Sequence, residues 1–342
     1  MTKPRILMVA TGGTIASAED GHGLTPQLTG EQLAAYVPQA SELADIDIVQ
    51  PMNIDSTNMR PTDWQAIGDA VLARYEDYDG FVILHGTDTM AYTAAALSYL
   101  IQASPRPIVL TGSQQPMASP FTDARLNLYQ SVLYAADPGS RDVSVVFGGK
   151  VIAGTRARKQ RTMSFNAFTS VNYPELALIR NDRIIRTAPA GPEAGTQMTR
   201  PTAPRVYHDL DPRVFVLKLT PGITPETFEV LRTSYDALII ETFGIGGIPD
   251  SLHDAIFSWV DSGRTLVVTT QVPEEGLDLG VYEVGRAFAE HPGILKGADM
   301  TCEALVAKTM WALGQTQGMP EEQRREAMRE LFYRPVNHDR LS

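Results

Sequence analysis

The chain has 342 residues, a formal net charge of −11, and 43% hydrophobic and 20% charged residues, a balance ordinary for soluble globular proteins. The acidic excess argues against a nucleic-acid backbone as the main partner. No stretch approaches the ~20 apolar residues that span a bilayer, and the single cysteine, Cys302, excludes an intrachain disulfide.

The apolar run after Met1-Thr2-Lys3-Pro4-Arg5 is too short for a secretory leader, so the expected location is the cytoplasm. That run predicts a strand at 6–10. A helix follows at 30–37 and a second strand at 46–49. Residues 61–78 read as a helix, with Pro61 in its first turn and Trp64, Ile67, Ala70 and Val71 on one face. A strand at 80–84 precedes a helix at 88–101, where Asp88 near the start suits the positive end of the dipole. A strand at 108–111, a helix at 121–136 and a strand at 143–147 complete the first half. Strands that are continuously apolar predict a parallel sheet covered on both faces.

Residues 188–206 carry Pro189, Pro192, Pro201, Pro204, Gly191 and Gly195 and read as a linker. Alternation then resumes, with strands at 214–219, 237–241 and 265–270. Helices follow at 225–231, 252–260, 301–313 and 320–332. The expected fold class is α/β. A larger N-terminal domain (1–187) would hold a doubly wound, mostly parallel sheet. The linker (188–206) would lead to a smaller C-terminal α/β domain (207–342). Cys302, at the head of a helix, reads as a buried structural thiol.

Two loops stand out, Thr11-Gly12-Gly13-Thr14 after the first strand and His85-Gly86-Thr87-Asp88 after the third. The second strand leads to Asp55-Ser56-Thr57-Asn58 and the fourth to Ser113-Gln114. Loops in α/β proteins are polar in any case, and hydroxyls cap helices. Four successive strand ends bearing small polar side chains, with glycines allowing close backbone approach, nevertheless point to a ligand crevice. A threonine nucleophile there would need a base and donors for the oxyanion. Lys159 and Asp88 are the candidate bases. Cationic neighbours and partial burial favour a proton-accepting amine. The alternative is that Arg156, Arg158, Lys159 and Arg161 form a solvated basic face. His85, ending an apolar strand, reads as structural. The scattered histidines suggest no metal site. Gly148-Gly149-Lys150 lacks the rest of a phosphate loop, and no dinucleotide fingerprint follows the first strand.

These segments resemble the bacterial-type L-asparaginases of the cytoplasmic type I branch, over essentially the whole chain. Ala10 to Ala16 resembles that family's first signature, Gly80 to Ala91 its second, and Met52 to Thr57 its substrate-holding loop. The resemblance implies Thr14 as nucleophile and Thr87, Asp88 and Lys159 as a second catalytic group. Ser56 and Thr57 would hold the substrate α-carboxylate, Asp88 its α-ammonium, and Gly13 would line the substrate. It implies release of ammonia and L-aspartate from L-asparagine through an aspartyl ester. No metal or cofactor is implied. The expected partner is a second copy, in a homodimer or homotetramer, with no nucleic acid or membrane. Glu241 and Glu283 are candidates for reaching a neighbouring protomer's site.

Two departures accompany the resemblance. Leu24 stands where many members carry a tyrosine near the nucleophile, and Tyr36 and Tyr92 are possible substitutes. Gly247 and Val272 stand where some type I members bind a second asparagine, so activation by substrate should be weak or absent. Two other readings are an ammonia-supplying amidase component of a tRNA-dependent amidotransferase and a non-catalytic amino-acid sensor. The amidase component would be expected to carry an extra amino-terminal domain, whereas the first signature here is reached by Thr11.

Overall fold

A computed structural model of the chain describes residues 2–13, 17–19, 24–26, 35–187, 201–280, 288 and 290–341. Two compact units divide it: Met1–His208 with Val336–His338, and Asp209–Pro335 with Asp339–Ser342.

In the first unit the strands are β1 (Arg5–Ala10), β2 (Asp45–Val49), β3 (Gly80–Leu84), β4 (Ile108–Thr111) and β5 (Val143–Phe147). They continue with β6 (Lys150–Ala153), β7 (Ala157–Lys159), β8 (Phe168–Ser170), β9 (Ala177–Arg180) and β10 (Arg183–Arg186). The longer helices are α1 (Pro61–Leu72), α2 (Met90–Leu100) and α3 (Ala124–Ala135). Among the described residues, eight strands form the main sheet, in the order β10-β9-β6-β5-β4-β3-β1-β2. β1 to β5 run parallel. Every residue of β3, β4 and β5 is buried, as expected of strands covered on both faces.

The sheet is mostly parallel, as expected, with an antiparallel edge. Gly148 and Gly149, at φ +59° and +77°, turn the chain back on itself, so β6 runs antiparallel to β5. This pair is a hairpin signal in its own right, because a primed turn needs two positive φ values. β9 and β10 extend the same edge in antiparallel fashion. β7 and β8 form a separate two-stranded ribbon.

Most element positions agree with the sequence pattern, and the ends differ for local reasons. The helix expected at 61–78 stops at Leu72, with only a tight turn at Tyr75–Asp77 beyond it. α2 starts at Met90, because Asp88 and Thr89 belong to the preceding loop. α3 starts at Ala124, since the Asp123 carboxylate is engaged by the amides of Gln114 and Gln115. Most of the helix expected at 30–37 falls outside the described residues. So does most of the expected linker, although Arg205–Val206 pairs antiparallel with Ile101–Gln102.

Among its described residues, the second unit has four parallel strands in sequential order: β11 (Val214–Lys218), β12 (Ala237–Thr242), β13 (Thr265–Thr270) and β14 (Ile294–Lys296). Its helices are α4 (Glu226–Arg232), α5 (His253–Asp261), α6 (Cys302–Gln315) and α7 (Glu321–Tyr333). β14 spans three residues, too few to carry a pattern. Phe228, Leu238, Ile240, Trp259 and Val268 pack its core. Cys302 is partly exposed rather than buried, at the first position of α6. Among the described residues, no helix is long and apolar enough to cross a membrane.

Candidate active site

The order β2-β1-β3-β4-β5 has a switch point. From β1 the chain moves to one side to make β2, then crosses back to make β3 on the other. Ligands of open α/β sheets lie at the carboxyl ends of strands flanking such a point. Pairing is flush there: Ala10 lies opposite Leu84, and Leu84 opposite Thr111. The loops after β1, β3 and β4 therefore leave the sheet side by side.

Backbone contacts lock these loops together. The Thr11 amide and hydroxyl both donate to the Leu84 carbonyl, at 3.0 and 2.8 Å. Gly13 N donates to the Ile54 carbonyl at 3.2 Å, and Ile54 N to the Thr11 carbonyl at 2.9 Å. Gly13 has φ +84°, and a side chain on it would strike the backbone of Gly86. A Cβ on Gly86 would in turn lie 2.5 Å from Ser56 Oγ. Three loops, from β1, β2 and β3, thus meet within contact distance.

Lys159 reaches this crevice from the end of β7. Its Nζ donates to Thr87 Oγ1 at 2.8 Å and to Asp88 Oδ1 at 2.6 Å. The Thr87 hydroxyl donates onward to Gln114 Oε1 at 3.3 Å. Thr87 is buried, whereas the Asp88 side chain is 58% exposed and that of Lys159 only 18%. The Asp88 carboxylate therefore remains accessible to a ligand cation while it anchors the lysine.

The charge beside Lys159 is thus the Asp88 carboxylate rather than a neighbouring cation. Nor does the whole basic run form a solvated face. Arg156 is fully buried, and its Nε donates to the His338 carbonyl at 2.5 Å. Arg161 is exposed and donates to the Asn166 carbonyl at 3.0 Å.

Around this group a supporting layer holds each loop. Asp55 Oδ1 accepts from Thr57 N at 3.0 Å, fixing the turn that carries Ser56, which is buried, and Thr57, which is exposed. Thr89 Oγ1 donates to the Ser56 carbonyl at 2.8 Å, tying the β2 and β3 loops. Asp123 accepts from the amides of Gln114 and Gln115 and from Asn127 Nδ2, while the same Asn127 nitrogen donates to the Gly112 carbonyl at 3.0 Å. Ser113 Oγ donates to the Gln115 carbonyl at 2.5 Å and so acts within its own turn. Asp123 and Asn127 escape sequence reasoning because a polar pair at i, i+4 near a helix start looks like ordinary surface.

His85 is fully buried. Its Nδ1 lies 2.7 Å from the Gly86 carbonyl and its Nε2 2.8 Å from Thr93 Oγ1. A carbonyl only accepts, so Nδ1 carries the proton and Thr93 donates to Nε2. Burial pulls this imidazole down to about 4, against the opposing effect of its bond to Gly86.

Thr14 and Glu283 lie outside the described residues, as does the side chain of Leu24. The Leu24 backbone pairs with Glu19 in a short antiparallel ribbon. Tyr36 is 37% exposed, with the Arg125 guanidinium 6.0 Å from its ring. Tyr92 lies on the first turn of α2. Glu241 sits near the carboxyl end of β12, opposite Lys218 and Thr269. Gly247 N donates to the Phe243 carbonyl at 2.7 Å, and Val272 is 47% exposed. Among the described residues, no group of three His, Cys, Asp or Glu side chains is placed to hold a metal ion.

Hydroxyls, a lysine and a carboxylate thus gather at the switch point of the sheet, where α/β proteins of this class hold their ligands. Residues 5–190 match the family described as Asparaginase, N-terminal, and residues 213–328 the Glutaminase/Asparaginase C-terminal domain. The chain belongs to the asparaginase family. It is 38% identical to an L-asparaginase of Thermococcus kodakarensis over 322 residues, 93% of this chain and 95% of that protein. The solved structure of the thermostable L-asparaginase from the same species superposes with a TM-score of 0.88 at 36% identity, covering 99% of each chain. The chain is also 32% identical to a component of the glutamyl-tRNA(Gln) amidotransferase of Metallosphaera sedula, over 94% of this chain and 74% of that protein.

The neutral imidazole gives a signed expectation. The unfolded chain takes up the His85 proton near pH 6.5 and the folded chain only near pH 4, so acid favours unfolding across that window. Between pH 7 and 4.5 the contribution of His85 to stability should fall by about 2–3 kcal/mol. In urea denaturation, the destabilisation caused by His85→Gln should therefore shrink by that amount over the same range. A penalty independent of pH would contradict the assignment.

Proposed function

We propose that this chain hydrolyses the side-chain amide of L-asparagine to L-aspartate and ammonia through a threonine ester. The observation that carries the reading is the contact of Lys159 Nζ with both Thr87 Oγ1 and Asp88 Oδ1 beside the glycine loop that leads to Thr14. A zwitterionic amino acid needs an acceptor for its ammonium and donors for its carboxylate. The exposed Asp88 carboxylate supplies the first, and Ser56 and Thr57 the second, with Gly13 lining the crevice. Thr14 Oγ forms a bond to the amide carbon, the C–N bond breaks, and the nitrogen leaves as ammonia after gaining a proton. Water then cleaves the ester. Thr87, Lys159 and Asp88 form the chain along which the proton moves. A hydroxyl already hydrogen-bonded to an ammonium and an amide is oriented before substrate arrives, which lowers the cost of reaching the transition state.

Purified protein should release ammonia from asparagine. Thr14→Ala should reduce turnover by about 10³-fold or more with a much smaller change in affinity, and Lys159→Met should be severely impaired. Mass spectrometry during turnover should find the aspartyl adduct on Thr14. An adduct on another side chain would overturn the scheme.

The similarity to the glutamyl-tRNA(Gln) amidotransferase component favours one second reading, an amidase that supplies ammonia to a tRNA-dependent amidotransferase. Marked preference for glutamine over asparagine would select it. We further place the enzyme in the cytoplasm as a homodimer or homotetramer, with Glu241 and Glu283 as the residues offered to a neighbouring site. Sedimentation of the purified protein as a monomer would remove that part. With Gly247 and Val272 offering no side-chain hydrogen bond, rate against asparagine concentration should be hyperbolic, and a sigmoidal curve would show that an activating site exists after all.

A further inference from the structure

The strand that delivers Lys159 is short, and it packs on α2 as well as on its partner strand. β7 spans Ala157–Lys159 and, among the described residues, pairs with β8 alone. Such two-stranded ribbons are marginal by themselves, yet the Lys159 ammonium meets Thr87 and Asp88 at 2.8 and 2.6 Å. The anchorage lies just upstream. Thr155 and Arg156 are both fully buried. Thr155 Oγ1 donates to the Asn337 carbonyl at 2.6 Å, and Arg156 Nε to the His338 carbonyl at 2.5 Å. The Arg156 guanidinium lies 5.6 Å from the ring centre of Tyr173, and the His338 ring stacks on that same tyrosine at 4.7 Å. A segment remote in sequence thus grips two consecutive residues at the root of β7.

That segment is itself built for the task. Asn337 and His338 both adopt left-handed backbone, at φ 46° and 63°. Non-glycine residues keep this conformation where their surroundings over-determine it. Asn337 Nδ2 donates to Ser98 Oγ at 2.9 Å and to the Val143 carbonyl at 2.8 Å. Ser98 lies on α2, the helix that begins at Met90, just after Thr87, Asp88 and Thr89. The turn before β7 seats on the same helix, since a Cβ on Gly154 would lie 2.6 Å from Ser98 Oγ and 2.9 Å from the Ala94 carbonyl. One helix is therefore the common reference for the loop bearing Thr87 and Asp88 and for the strand bearing Lys159.

We propose that Val336–His338 is a positioning element for Lys159, clamping the root of β7 against α2 and so setting where the ammonium meets Thr87 and Asp88. The proposal rests on the reading of Lys159 as part of the catalytic group. From Arg156 to Lys159 the chain extends roughly 10 Å at ~3.3 Å per residue, so a small rotation at the root moves the ammonium appreciably.

The test uses the full chain. Thr155→Val keeps the shape and removes the donor, whereas Thr155→Ser keeps the donor. Asn337→Gly keeps the left-handed backbone and removes the amide. Misplacement of about 1 Å can cost up to 10²-fold, so Thr155→Val and Asn337→Gly should each lower kcat by about 10- to 100-fold. KM should stay within about threefold, and Thr155→Ser should retain kcat within about threefold of the parent. If Thr155→Val fails to fold, Asn337→Gly decides. With Lys159→Met measured in parallel, the failures separate. Parental kcat in the clamp variants beside an inactive Lys159→Met overturns the clamp and spares the reading. An active Lys159→Met overturns both. A rise in KM at constant kcat assigns the segment to binding and also refutes the proposal.

Discussion

Where β1 and β3 end, two stretches of backbone touch, and they can touch because neither Gly13 nor Gly86 carries a side chain. The rest of the crevice follows from that contact. Flush pairing of the two strands brings the loops alongside, and left-handed backbone at Gly13 lets the first fold onto the second. Ser56 fills the space on the far side of Gly86. With the loop after β3 held on both flanks, Thr87 and Asp88 face a single direction, and Lys159 meets them there. A methyl group at either glycine would force the loops apart before any question of chemistry arose.

Most of the polar machinery around this contact is concerned with orientation. Lys159 offers three protons, and two of its bonds are to Thr87 and Asp88. Asp123 gathers the amides of Gln114 and Gln115 with Asn127, which holds the Gln114 side chain against Thr87. His85 works from beneath, its proton committed to Gly86 and its lone pair to Thr93. A histidine in that place could be mistaken for a general base, yet both nitrogens are occupied within the core.

Much of this is legible from residue order alone. Strands 80–84, 108–111, 143–147 and 265–270 occupy the positions their apolar runs predict, because runs this short, rich in β-branched residues and bounded by loop residues, suit buried strands better than helices. The hydroxyl-bearing strand ends are visible for the same reason. Helix ends are harder, since a loop residue such as Asp88 or Asp123 has the same chemistry as a helix cap. The antiparallel edge from β6 to β10 does not show in the apolar pattern. Its strands are short, and Gly148-Gly149 reads as an incomplete phosphate loop before it reads as a reversal. Arg156 is indistinguishable from its neighbours, since a run of cations gives no sign that one of them is buried against main-chain carbonyls 182 positions away.

That separation has a consequence in time. A ribosome adding about 5–20 residues each second needs roughly 10–40 s to travel from Thr155 to Asn337. For that interval the emerging chain can assemble its parallel strands and their helices, but the Asn337 and His338 carbonyls that accept from Thr155 and Arg156 do not yet exist. Order at the root of β7 thus trails translation of the rest of the first unit, and ribosome pausing in the second half of the message would lengthen the delay.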